Sequence, residues 1–176
     1  MSARARLRGE TDLGIAGTEA LVAAPLDDLE EEALVERLRE NLRANGLTNV
    51  EIIPSALGAQ PGRAPLFQPE RLNTGMSTLL PGRGSEAGAT DVSVIRADDL
   101  VAARPELAPT IMKIDVEGAE HLVLGGAMHT LQTGRVRAIV FEDRCDANAQ
   151  PTNAEALARL SETHYLVEPF GASDAH

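Results

Sequence analysis

Eight consecutive residues, Lys113-Ile114-Asp115-Val116-Glu117-Gly118-Ala119-Glu120, bring three carboxylates and a lysine into one short stretch. A carboxylate in a ligand crevice can accept the proton of an attacking hydroxyl, or it can orient a bound molecule. Asp115 and Glu117 are the candidate catalytic residues. His121 stands one helical turn after Glu117, so an acid–base pair can be drawn there, although a surface histidine is the plainer reading. Asp115, Glu117, Glu120 and His121 are also metal-ligating residue types. Successive helical positions point to different faces, so four converging ligands, and hence a metal, are not expected.

The octet lies at a seam between two periodicities. Ile111, Met112 and Ile114 read as a buried strand, and Ala119, Leu122, Val123, Ala127 and Leu131 recur at helical spacing. The pattern predicts a strand over 110–115 and a helix over 117–133. Asp115 then stands at the carboxyl end of a strand, just before a helix, which is where open α/β sheets bind ligands. The same position suits a helix cap. Glu117 and Glu120 fall in the first turn, where negative charge complements the helix dipole. Of the two, Glu117 is the better site candidate. Gly118 permits close approach, more readily explained by packing than by a ligand. Lys113 faces either the crevice or solvent.

Other elements must position this seam. A helix is predicted over 28–45, capped by Asp27 with Glu30 three residues later, carrying a stripe of Leu29, Ala33, Leu34, Leu38 and Leu42. Gly46 follows where positive φ is needed. Strands are predicted over 50–57, 64–68, 91–97, 138–143 and 165–170, and helices over 98–103 and 153–163. Residues 81–90 hold four Gly or Pro and read as a mobile surface loop. Residues 1–26 show no clear period. Alternating strands and helices point to a largely parallel α/β sheet in a single domain spanning 1–176, with its core in 27–170.

The 176 residues suffice for one domain with a real core. Aromatic residues make up only 2%, so Leu, Val, Ile and Ala must fill that core. A net charge of −11 repels phosphate backbones and anionic lipid, and no aromatic platform exists for stacking bases. Nucleic acid and membrane are therefore not expected partners. Cys145 is the only cysteine, which precludes an intramolecular disulfide and suits a reducing, cytoplasmic setting. Its neighbours Asp143 and Asp146 would discourage a thiolate, so a catalytic cysteine is not expected.

Residues 113–120, followed by Leu122, Leu124, Gly126 and Ala127, resemble the signature of FkbM-type S-adenosylmethionine-dependent methyltransferases. Further matches follow in order over about 35–170. Leu38-Arg39-Glu40-Asn41 with Asn45-Gly46-Leu47 resembles the helix after the family's second strand. Ser55-Ala56-Leu57-Gly58 resembles the segment beside the adenine. Asn73-Thr74-Gly75 with Ser77 and Leu79 resembles an Asn-x-Gly-x-x-x-Leu element. Ala97-Asp98-Asp99-Leu100 resembles a Thr-Leu-Asp-x-Leu turn, and Phe141-Glu142 a strand-closing Glu. The resemblance implies a three-layer Rossmann-like methyltransferase sheet, S-adenosyl-L-methionine as cofactor, and methylation of a hydroxyl on a sugar or other small acceptor. It places Ser55, Ala56 and Asp115 at the cofactor.

The first third departs from the pattern. The family opens with a strand, Asp-x-Gly-Ala-Asn-x-Gly, a helix, and a second strand ending in an acid before Pro. The nearest match is Asp12-Leu13-Gly14-Ile15-Ala16-Gly17, which makes Asp12, Gly14 and Gly17 the remaining cofactor candidates, with a plain turn as the simpler reading. Leu21-Val22-Ala23-Ala24-Pro25 stands for the second strand, with Ala24 where the acid belongs; Asp27 or Asp28 could substitute. A βαβ unit takes roughly 30 residues or more, so the N-terminal βαβ part is shortened. The alternative reading is a methyltransferase-fold module without catalysis. A missing helix and strand would leave apolar surface exposed and favour self-association into a homo-oligomer.

Overall fold

A computed structural model describes residues 2–7, 20–23, 31–68, 78–81, 85–142 and 153–170. Its α/β architecture contains three small sheets. Strand β2 (Ala20–Ala23) pairs in parallel with β3 (Val50–Ile53), and helix α1 (Glu31–Ala44) makes the crossover between them. Helix α1 ends as predicted. Gly46 has φ +67, Leu47 N–H donates to the Leu42 carbonyl (2.9 Å), and Gly46 N–H donates to that of Arg43 (3.1 Å). These bonds form a Schellman motif, which glycine accommodates without a Cβ penalty. Val35 is buried, while Leu38 and Leu42 are half-buried. The capping residues Asp27 and Glu30 lie outside the described residues.

The predicted continuous strand 50–57 is two strands in two sheets. Pro54 has no N–H to give to a ladder, and the backbone turns there, with Ser55 N–H donating to the Ile53 carbonyl (2.9 Å). Beyond the turn, β4 (Ala56–Leu57) runs parallel to β6 (Ser85–Ile95), and β5 (Gly62–Gln68) pairs antiparallel with β6. Strand β6 begins at Ser85, so half of the predicted loop 81–90 is ladder. Ser85 and Thr90 are both paired with β5. A register shift between Leu66 and Gln68 marks an irregularity in that ladder.

The third sheet has the order β7-β8-β1-β9, with β7 (Ile111–Ile114), β8 (Ala138–Glu142), β1 (Ser2–Leu7) and β9 (Tyr165–Phe170). Strands β7 and β8 are parallel, whereas β1 is antiparallel to both β8 and β9. The sheet is thus mixed rather than largely parallel. The sequence without apparent period at 2–7 supplies a central strand.

Helix α2 (Ala97–Ala103) follows β6, and a 3₁₀ turn (Pro105–Leu107) precedes β7. The predicted helix 117–133 is two short helices, α3 (Glu120–Gly125) and α4 (Met128–Gln132). Helix α5 (Ala154–Ser161) precedes β9. The larger core joins Ile114, Leu124, Leu131, Ile139, Phe141 and Leu160. Each such side chain contributes about 1.5–3 kcal/mol on burial. A smaller core holds Ala56, Leu66, Val92 and Val94. Strand β4 serves both: Ala56 lies in the smaller core, and Leu57 packs against the larger. Among the described residues no helix is long and apolar enough to cross a membrane.

Two glycines join the cores. A Cβ on Gly126 would overlap the Gly58 carbonyl oxygen and lie 3.0 Å from its carbon; one on Gly58 would lie 2.7 Å from a Val94 methyl. Close approach lets Asp98 N–H donate to the Gly126 carbonyl (2.9 Å) and Gly58 N–H to that of Ile95 (3.0 Å). Asp98 then caps α4 from another element. Its buried carboxylate accepts from His129 N–H (3.1 Å), Thr130 N–H (2.8 Å) and the Thr130 hydroxyl (2.8 Å), and Arg96 donates from the side (3.1 Å). Ala127 at the N-cap of α4 has no side chain to do this. Gly126→Ala must push two backbones apart and should cost more than about 3 kcal/mol. Gly134→Ala, at φ +72 with nothing within 4 Å, should cost only about 1 kcal/mol. Urea denaturation of both variants checks the contrast.

A second tie is electrostatic and exposed. Arg104, after α2, donates to Glu106 (3.0 Å) and to both carboxylate oxygens of Glu51 on β3 (2.9 Å for the longer bond). The Arg104 hydrogen bond holds the Glu51 carboxyl below its usual value near 4.5. Glu106 is also lowered, first by its own backbone N–H and then by Arg104. A depressed folded-state value adds stability above about pH 4.5, lost as pH falls through the folded value. Arg104→Gln should therefore flatten the acid limb of the stability curve. It should lower the melting temperature only slightly at neutral pH, because these groups are solvent-screened. Thermal melts between about pH 7 and about pH 3 measure this.

Candidate functional site

Strand β7 delivers the chain to a tight turn. Lys113 and Asp115 project to solvent and pair with each other, Nζ to Oδ2, at 2.7 Å. Val116 to Ala119 form a four-residue turn closed by Ala119 N–H to the Val116 carbonyl (3.3 Å). Its central residues have positive φ, +50 at Glu117 and +98 at Gly118, the sign pattern of a type I′ turn. Glycine suits the second position. Glutamate at the first stores about 1–2 kcal/mol of steric strain.

Two hydrogen bonds from outside the turn help to hold it. The buried Thr78 donates its hydroxyl to the Glu117 carbonyl (3.2 Å), and Thr78 is itself fixed to Phe67 of β5 by two backbone bonds (2.8 and 3.1 Å). From the other side, Gly118 N–H donates to Glu120 Oε1 (3.2 Å). Glu120 is 1% exposed, and its second oxygen, Oε2, is buried with no hydrogen-bond partner among the described residues.

Asp115 and Glu120 thus flank the turn that holds Glu117; Glu120 stands in the first turn of a helix as predicted, whereas Glu117 precedes that helix. Helix α3 begins at Glu120, after the positive-φ pair, so its N-cap is Ala119, which makes no side-chain cap bond. Asp115 is a half-exposed carboxylate held by Lys113, not a helix cap. Glu117 is half-buried. His121 pairs with Glu155 of α5 at 3.3 Å. Among the described residues no group of three or more His, Cys, Asp and Glu could hold a metal ion. Ser55 is half-buried at the Pro54 turn, and the Ala56 methyl is packed in the smaller core, so Ala56 offers only backbone to a ligand there. That segment meets the α3–α4 region at Gly58 and Gly126. Asp12, Gly14, Gly17, Asp28, Asn73, Gly75, Ser77 and Cys145 lie outside the described residues.

Two residues that support the turn were assigned no such part by sequence reasoning. Thr78 sits between Ser77 and Leu79 of the Asn-Thr-Gly element. Glu120 has Val123, Leu124 and Ala127 at i+3, i+4 and i+7, so the apolar period itself places it on the buried face.

A strained turn carrying carboxylates at the carboxyl end of a sheet strand makes this the candidate site of the chain. A sequence profile for the methyltransferase FkbM domain matches residues 19–167, and the chain belongs to that family. The match begins after Asp12, Gly14 and Gly17. No curated protein and no solved structure is significantly similar to the chain.

The strain at Glu117 separates function from stability. Glu117→Gly relieves the positive φ at the cost of unfolded-state entropy. It should leave the melting temperature unchanged or higher while weakening ligand binding. A fall of several degrees by scanning calorimetry would contradict this reading of the turn.

Proposed function

We propose that the chain is an S-adenosyl-L-methionine-dependent methyltransferase that methylates a hydroxyl of a sugar or other small acceptor at the 115–120 turn. The strained Glu117-Gly118 turn at the carboxyl end of β7, in a member of the FkbM family, carries this reading. The orphaned Oε2 of Glu120 beside that turn fits a site that takes a ligand donor. When bound, the cofactor supplies a methyl group on a sulfonium, already a good leaving group.

The residues' tasks are then positional and basic. The chain must hold an acceptor oxygen in line with the methyl carbon and exclude water. A hydroxyl must also lose its proton as it attacks. Asp115 is the candidate base: half-exposed at the crevice and oriented by Lys113 at 2.7 Å. Glu117 is the second candidate, with its backbone fixed by Thr78. The Ser55-Ala56 backbone is assigned to the adenine, and Asp12, Gly14 and Gly17 to the amino-acid end. The fuller fold reading is a three-layer Rossmann-like sheet in one cytoplasmic domain, which associates through exposed apolar residues such as Leu47. Neither nucleic acid nor membrane is a partner in this reading.

One observation favours a second reading, a module of the same fold without catalysis. Strand β1, which precedes β2 in the chain, pairs antiparallel within the β7-β8-β1-β9 sheet and not with β2. Calorimetric titration with S-adenosylhomocysteine separates the two. Binding in the micromolar range is expected, and no heat at millimolar ligand would leave only the module. Asp115→Asn should keep that binding and lose about 100-fold or more in methyl transfer. Transfer is assayed with radiolabelled methyl donor against a panel of small hydroxylated acceptors.

A further inference from the structure

Two carboxylates are buried in the described structure, and their surroundings differ. Asp98, 7% exposed, is satisfied by two backbone N–H groups, a hydroxyl and a guanidinium. Glu120, 1% exposed, receives one backbone N–H on Oε1 and, among the described residues, nothing on Oε2. The Asp98 arrangement explains itself as a helix cap. The Glu120 arrangement does not, because holding the turn through Gly118 uses only one of its oxygens.

Leaving a carboxylate oxygen buried and unpaired costs several kcal/mol unless something else supplies the donor. The missing partner must reach a point two residues beyond the strained turn and five beyond Asp115. A neutral hydroxyl would bring one donor and no charge. An ammonium brings up to three donors and the opposite charge, which makes the stronger, charge-assisted bond. We propose that Glu120 is a ligand-binding carboxylate that receives the α-ammonium at the amino-acid end of the cofactor. This inference rests on the cofactor reading given above. Glu120 is then a binding and positioning residue. It sets where the methionine portion lies relative to Asp115, and no proton or methyl group passes through it.

The test compares two ligands on two proteins. S-adenosylhomocysteine carries the α-ammonium; 5′-methylthioadenosine has the same nucleoside and thioether without the amino-acid end. Glu120→Gln keeps an acceptor for Gly118 N–H and replaces Oε2 by an amide NH2. By titration calorimetry, S-adenosylhomocysteine should bind Glu120→Gln about 10- to 100-fold more weakly than wild type. The affinity for 5′-methylthioadenosine should stay within about twofold. Unchanged S-adenosylhomocysteine affinity in a variant with native circular dichroism overturns the proposal. An equal loss for both ligands also overturns it, because that is the mark of a merely structural role. Should the variant not fold, wild type decides with S-adenosylhomocysteine against its deaminated analogue, and equal affinities overturn the proposal. Wild type that binds none of these ligands at millimolar concentration overturns the cofactor reading itself. Wild type that binds them all equally leaves that reading standing and removes only the ammonium contact.

Discussion

The contact of Gly58 with Gly126 is the constraint on which the site geometry depends. It is a backbone-to-backbone approach with no room for a methyl group on the Gly126 side. Around it, Asp98 N–H meets the Gly126 carbonyl, Gly58 N–H meets that of Ile95, and the Asp98 carboxylate caps α4. Strands β4 and β6 and helices α2, α3 and α4 therefore share one junction. Helix α3 starts at Glu120 and ends at Gly125, so it is only about 9 Å long. So short a helix acts as a stiff spacer. Fixing its carboxyl end at the glycine contact also fixes Glu120 and the turn at its amino end.

The turn needs this support because it is not locally stable. A glutamate at positive φ costs about 1–2 kcal/mol, and the remainder must come from elsewhere. The Thr78 hydroxyl and the Glu120 carboxylate each contribute one hydrogen bond, roughly 0.5–1.5 kcal/mol apiece. The strain and its compensation are thus of similar size. One support comes from β5, whose Leu66 lies in the small core, through Phe67 and Thr78, the other from α3. A change in either core therefore reaches the carboxylates without touching them.

The legible and illegible parts of the sequence divide along the same physical line. Strand β9 at 165–170, helix α2 and the glycine end of α1 were legible because one local signal governs each. Elsewhere a single residue overrode the surrounding period. Pro54 cut an apolar run into two strands, Gly118 delayed a helix by a turn, and Gly126 divided it again. The start of β6 hides behind its Gly-rich composition, since its order comes from pairing with β5. Ser2–Leu7 alternates Ala3, Ala5 and Leu7 with Arg4 and Arg6, a period of two that six residues make easy to overlook. At the site, the octet identified the family and the strand end, but not the turn that separates strand from helix. The burial of Glu120 was also written in the sequence, at i, i+3, i+4 and i+7, but a preference for charge at a helix start obscured it.

Charge links the turn to the rest of the chain. The protein carries a net charge of −11, and three of its carboxylates cluster within six residues at the end of β7. Under the cofactor reading, the methyl donor has a sulfonium, an ammonium and a carboxylate, and so a net charge of +1. Once the methyl group has left, the same molecule is a net-neutral zwitterion. An acidic site therefore attracts the donor more than the spent cofactor, while a contact to the ammonium alone holds both equally. Glu120 would anchor position, and the exposed Asp115 with the surrounding acidic field would discriminate between donor and product. The buried contact is little screened, whereas the field weakens once the Debye length falls to about 10 Å near 0.1 M salt. Added salt should thus erode the preference for donor over product while leaving the geometry of the anchor in place.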